Sequence, residues 1–178
     1  MRISVPLLAL ALVLPLGATT LLKVSMGDLI THSTSIVRAK IGGFRTAVVG
    51  QDIYTYYQLQ VSETLKQGAT VPAEVAVPGG VSGTRRQIGV GSPVLTPGQE
   101  YVLFLWTSPK GLTQMVGLSQ GLFTLRQDST GATVVDRTVI SDAMVDKTGK
   151  PVADAGLTMK WSDLQALIAK TLKPAAVK

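Results

Sequence analysis

Cysteine is absent from the 178-residue chain, and histidine occurs once, at His32. Without cysteine there are no disulfides and no lipid attached at a cysteine. Zinc sites gather His, Cys or carboxylates, and one histidine with 11 scattered acids does not supply them. Asp136, Asp142 and Asp146 are the densest acids. They lack the alternating ligands and turn glycine of a calcium loop, and read as solvated loop acids. No pair of carboxylates stands out for glycoside hydrolysis. A phosphate loop is missing too, because the glycines at 79, 80, 83, 89 and 91 have neither its spacing nor a following helix. No metal and no cofactor is expected. The basic excess (17 basic against 11 acidic residues, +6) is spread out, with Arg85-Arg86 and a lysine-bearing tail as its only local concentrations. Nucleic-acid binding needs a continuous basic stripe, so no nucleic-acid partner is expected.

What is present begins with Met1 to Ala18, MRISVPLLALALVLPLGA. One basic residue, an apolar run and small residues make the layout of a secretory signal peptide, with cleavage expected after Leu16-Gly17-Ala18. The alternative is an uncleaved anchor over residues 3–22, which Pro6 and Pro15 suit poorly. Only such an uncleaved segment would touch a membrane. Export without disulfides points to a bacterial periplasm or exterior, so a secreted or periplasmic location is expected.

The strongest pattern in the rest is Ile53 to Leu65, IYTYYQLQVSETL. Ile53, Thr55, Tyr57, Leu59, Val61 and Leu65 fall on one face, and Tyr54, Tyr56, Gln58, Gln60, Ser62 and Thr64 on the other. A period of two in residues of this kind predicts a long, half-buried strand. Ahead of it, Ser25 followed by Asp28 is a capping-box variant opening a short helix within Lys23–Ser33. Ser35–Ile41 and Phe44–Val49 read as strand on either side of a Gly42-Gly43 bulge. Beyond it, Val71–Val77 is a strand bounded by Pro72 and Pro78, and residues 79–98 form a glycine-rich loop. Tyr101–Trp106, YVLFLW, is apolar on both faces, as in a strand covered on both sides. Leu112–Leu118, Gly121–Arg126 and Ala132–Val139 complete the strands. Trp161–Leu172, with Ser162 as its expected cap and Leu164, Leu167, Ile168 and Leu172 on one stripe, is an amphipathic helix stopped by Pro174.

The expected organisation is a signal peptide (1–18), a β-barrel domain (19–140), a surface linker (141–156) and a C-terminal helix docked on the barrel (157–178). The class is mainly β: a small OB-like (Greek-key) β-barrel with a short N-terminal helix and a C-terminal amphipathic helix. The helix leading into "SIVRAKI", the strand ending "ETLKQG", "VPGG" before a glycine-rich loop, "LTPGQEYVLFL" and "MVGLSQGLFTL" resemble a group of uncharacterised secreted bacterial proteins. The layout is similar to the OB-type barrel of the N-terminal domain of tissue inhibitors of metalloproteinases and netrin-like modules. Those inhibitors chelate the protease zinc through an N-terminal cysteine, which this chain lacks, so the resemblance implies the barrel and no inhibitory residue.

Three functional readings follow. The first is a secreted, non-enzymatic module that binds another secreted or surface protein, with a protease-inhibitor-like role as one form of it, through residues 79–98 and the strand face carrying Tyr54, Tyr56 and Gln58. Those tyrosines are either exposed there or covered by the terminal helix. Arg85 and Arg86 would hold an acidic group of the partner. The second reading is carbohydrate or cell-wall binding, with the tyrosines stacking on sugar. The third is a hydrolase centred on His32, one helical turn after Asp28 and near Ser33 and Ser35. No stretch is read as a nucleophile elbow, and no catalytic residue is assigned.

Overall fold

A computed structural model describes residues 20–173. The signal-peptide reading and the proline stop at 174 lie outside the described residues. The elements in chain order are β1 (Leu21–Leu22), α1 (Met26–His32), β2 (Ser35–Val49), β3 (Asp52–Lys66), β4 (Glu74–Ser82), β5 (Arg85–Ile88), β6 (Glu100–Thr107), β7 (Thr113–Met115), β8 (Leu122–Gln127), β9 (Thr133–Arg137), β10 (Met144–Val145), β11 (Pro151–Val152), β12 (Leu157–Lys160) and α2 (Trp161–Leu172). The fold is mainly β with two α-helices among the described residues.

Strand β6 shows how the layers are arranged. Tyr101, Leu103 and Leu105 enter one apolar cluster with Val37, Ala39 and Ile41 of β2 and Tyr57 and Leu59 of β3. Val102 and Phe104, pointing the opposite way, enter a second cluster with Ile36, Phe123, Val135 and the helix residues Leu29, Ile30, Leu164 and Ile168. A strand apolar on both faces is therefore covered on both, by the curl of its own sheet and by the two helices. Phe104 and Phe123 meet inside the helix-covered layer with ring centroids 5.4 Å apart.

The main sheet runs β12-β9-β8-β6-β2-β3-β4-β5, with β7 also paired to β6. Its ladder does not close into a barrel, contrary to the sequence expectation. Strands β4 and β7 approach within 8 Å between Cα atoms but share no ladder. The cause lies in β4. Its first half pairs with β3, ending at Tyr54–Pro78, and its second half pairs with β5, beginning at Gly79–Ile88. Gly79 and Gly80 have φ of 101° and 138°, a backbone that L side chains rarely adopt. A Cβ on Gly80 would lie 2.6 Å from Thr55 Oγ1, so only glycine lets the hairpin fold this closely onto β3. Thus β4 runs through Pro78, where the sequence placed its end, and much of the expected loop is a hairpin turning at Gly83-Thr84. Pro78 sits where β4 changes partner, a place that tolerates a missing N–H.

In the long strand, Ile53, Thr55, Tyr57 and Leu59 are buried as their spacing predicts. Leu65 departs from that face and packs in the helix-covered cluster. The β2–β3 register passes over Ser62 and Leu65, and such bulges rotate the residues beyond them. Helix α1 is capped as read: Ser25 Oγ accepts from Asp28 N–H at 3.1 Å and donates to Asp28 Oδ2 at 2.7 Å. The N-cap position of α2 is Lys160 and not Ser162, with no side-chain capping bond, because β12 holds Lys160 extended against Val134 and the helix starts at the next residue. The segment expected as a plain linker carries β10 and β11, which form a small sheet with β1.

Candidate functional site

The sequence-predicted residues do not converge on one place. Tyr54, Tyr56 and Gln58 point to the face of β3 opposite Thr55 and Tyr57. Tyr54 and Tyr56 are half-buried and Gln58 is exposed. Their rings lie 6.4 Å apart, and the Arg45 guanidinium sits 4.2 Å from the Tyr56 ring centroid. Arg45 is held by Glu74 at 2.8 Å, and this bond raises its pKa above the ordinary arginine value. One face of Tyr56 is therefore already occupied by a cation. Helix α2 does not cover the tyrosines: it meets β3 at the other end, where Gln165 donates to Glu63 at 2.7 Å.

Arg85 and Arg86 follow the hairpin turn, and both are exposed. Arg85 donates to the Gln51 carbonyl at 2.9 Å, and Gln87 accepts from Ile53 N–H at 2.6 Å, so β5 is tied over the β2–β3 turn. Arg86 enters none of the ion pairs among the described residues. It lines a groove of about 300 Å³ with Tyr57, Val77, Ile88 and Val94. Burial pushes the Tyr57 phenol up from its ordinary pKa. Ser92 and Pro93 line both this groove and a neighbouring cavity, and the buried Ser92 Oγ has no hydrogen-bond partner among the described residues.

Around the groove the surface is unusually apolar. Phe44, Val48, Val81, Ile88 and Val94 are five of the twelve exposed large hydrophobic residues among the described ones, with Ile88 77% and Val94 82% exposed. They belong to one end of the molecule: Phe44 lies 5.6 Å from Tyr57 between ring centroids, Thr46 donates to the Val81 carbonyl, and Val48 pairs with Ile53. Sequence reasoning picked out the residues 79–98 but missed Phe44 and Val48, which alternate like any strand residues and carry no sign that their face is uncovered.

The His32 constellation is not assembled. Asp28 bonds Ser25 and Lys147, the latter at 3.0 Å; the Ser25 bond and then the Lys147 bond hold its carboxyl below the usual range. Ser33 is buried and donates to the Leu29 carbonyl at 2.6 Å. One Gly-x-Ser-x-Gly run is present, Gly117 to Gly121, which the sequence reading overlooked. It stands before a strand and not between strand and helix as a nucleophile elbow does. Ser119 lines a different cavity from His32. Gln120 in that run is buried, accepts from Val24 N–H at 2.8 Å and donates to the Leu22 carbonyl at 2.9 Å. The run clamps the N-terminal segment.

Comparison with family models, curated proteins and solved structures finds no match for this chain. Among the described residues, no three His, Asp or Glu side chains come together to hold a metal. Asp136 lies in β9 and not in a solvated loop as expected, and both it and Asp146 have other partners. Asp136 pairs with Arg126, and Asp146 accepts from Thr148 and Lys150; the Thr148 hydroxyl bond foremost holds Asp146 below the usual carboxylate range.

Proposed function

We propose that this is a secreted, non-enzymatic module that binds another protein through the end formed by the β4–β5 hairpin and the turn of β2. The observation that carries the reading is that Val81, Ile88 and Val94 line one groove in solvent, with exposed Phe44 and Val48 on the adjoining strand beside Tyr57 and Ile53. Contiguous exposed apolar surface on a small domain is the usual mark of an interaction site, and Arg86 at its edge is free to meet a partner's carboxylate. Tyr54, Tyr56 and Gln58 lie on the other side of β3 and are assigned no first contact. The export reading rests on Met1 to Ala18 and on the lack of cysteine.

We also read β2 to β7 as OB-like. In support, β2, β3 and β4 form an antiparallel meander, β6 adds antiparallel to the other edge of β2, and β7 is antiparallel to β6. By these pairings β7 runs parallel to β4, its neighbour across the unbonded gap.

The test is cross-linked capture from the native secreted fraction, using the purified chain from Thr19 and the double variant Ile88→Ser, Val94→Ser. A protein captured by the parent and lost by the variant, with an unchanged far-UV CD spectrum, supports the reading. Equal capture by both overturns it.

A further inference from the structure

We propose that the cleft between the end of α1 and the β6–β7 hairpin is a separate binding site for a neutral sugar, with Trp106 as its stacking platform. The cleft has a volume of about 480 Å³, within the range of small-molecule sites. Trp106 is 42% exposed, although it follows Val102 and Phe104 on the side of β6 that the helices bury. The helices stop short of it, and His32 stands at the end of α1 beside it. Gln114 is directly opposite Trp106 across the β6–β7 ladder, so their side chains share a face.

This set matches the two sides of a pyranose. The indole, with Val116 and Leu118, offers an apolar wall to the C–H face of the ring. The Gln114 amide and the His32 imidazole offer donors and acceptors to the hydroxyl rim. No Asp, Glu, Lys or Arg lines the cleft, which favours an uncharged ligand over an acidic one. A second observation falls at the same place. Leu118, in the cleft wall, is the one non-glycine with positive φ among the described residues, at 58°. Backbone of this kind is costly for a leucine and collects at ligand sites when the surroundings enforce it. Gly117 just before it also has positive φ, 65°, and Gln120 just after it is buried and bonded to Val24 and Leu22. This proposal is independent of the hairpin end: the two sites share no lining residue.

The experiment is titration of the purified chain with cellobiose, maltose and N,N′-diacetylchitobiose, with galacturonic acid as a charged control, by calorimetry and tryptophan fluorescence. Only Trp106 and Trp161 emit, and Trp161 lies away from the cleft, 5.8 Å from the Arg38 guanidinium. Saturable binding of at least one neutral disaccharide is expected, with a Kd on the order of 1 mM. Trp106→Ala should abolish it, and Gln114→Ala should weaken it by about tenfold, the size of one lost hydrogen bond. Both should keep the parent CD spectrum, and Ile88→Ser with Val94→Ser should bind sugar as the parent does. Absence of binding by all three disaccharides at about 50 mM overturns the proposal, since such an affinity would be negligible. Binding that survives Trp106→Ala overturns it as well, as does binding of 1-naphthol alone, which would make the cleft an apolar-ligand site.

Discussion

Strands β2 and β6 are covered on both sides, but the two covers end differently. On one side α1 and α2 seal Ile36, Val102, Phe104, Phe123 and Val135 beneath Leu29, Ile30, Leu164 and Ile168. On the other, the sheet covers itself by curling, and the curl ends at a hairpin that leaves Ile88 and Val94 in water. Both covers use residues of the same kind. An apolar side chain contributes to stability only where something lies over it, so the helix side reads as the foundation and the hairpin end as the surface that meets a partner.

The largest test of this contrast is a pair of core and rim substitutions. Phe104→Ala should cost about 3–5 kcal/mol, as expected for a fully buried aromatic that leaves a cavity. Ile88→Ser should change stability by only about 0.5 kcal/mol, as surface changes do. Urea unfolding midpoints measure both, and similar losses would erase the distinction between the two ends.

Asp154 is nearly as important to the helix side. Its side chain is 1% exposed, and it accepts two bonds from Arg137, at 2.9 and 2.7 Å, with further bonds from the Ile140 and Gly156 amides. Asp154→Ala would strand the Arg137 cation, whose side chain is 12% exposed, and should cost about 3 kcal/mol. Burial pushes the Asp154 carboxyl up, but Arg137 and the amides outweigh it and hold the pKa below its ordinary value. A depressed folded-state pKa gives stability that is present above the unfolded value and is lost as pH falls through the folded one. Stability measured by denaturation against pH should therefore fall from about pH 4 downward, and Asp154→Asn should flatten that part of the profile.

Gly80→Ala probes the joint between the two covers. The added Cβ would strike Thr55 Oγ1, and φ of 138° suits no other residue. A loss of about 1–3 kcal/mol is expected, with hydrogen exchange of the hairpin amides rising more than that of β6. Uniform acceleration would mean that the hairpin does not open separately.

Much of this contrast was legible in the chain and some was not. The alternation of Ile53 to Leu59 gave the two faces of β3, and the unbroken YVLFLW run gave a strand covered on both sides. Period alone carries that information. The continuation of β4 through Pro78 was hidden because its residues change partner there, and Pro-Gly-Gly punctuates a strand as readily as it bends one. Strands β1, β10 and β11 have two residues each, too few to show any period. Nor did the sequence reveal that the helix cover stops short of Trp106, since that depends on where α1 ends in space.

The smallest expected effect concerns the tyrosine face. Arg45 and Glu74 are exposed enough, at 56% and 33% of their side chains, for water and salt to screen the pair. Glu74→Gln should leave the unfolding midpoint nearly unchanged, and still less altered at high salt. Its value lies in partner capture. With Glu74 removed, Arg45 is no longer held over Tyr56 by an ion pair, so a partner that uses the tyrosine face would be captured differently. Capture through the hairpin end should not change, because Thr55 and Tyr57 on the opposite side of β3 line that groove. A clear change in capture with stability preserved would move the contact surface across the strand.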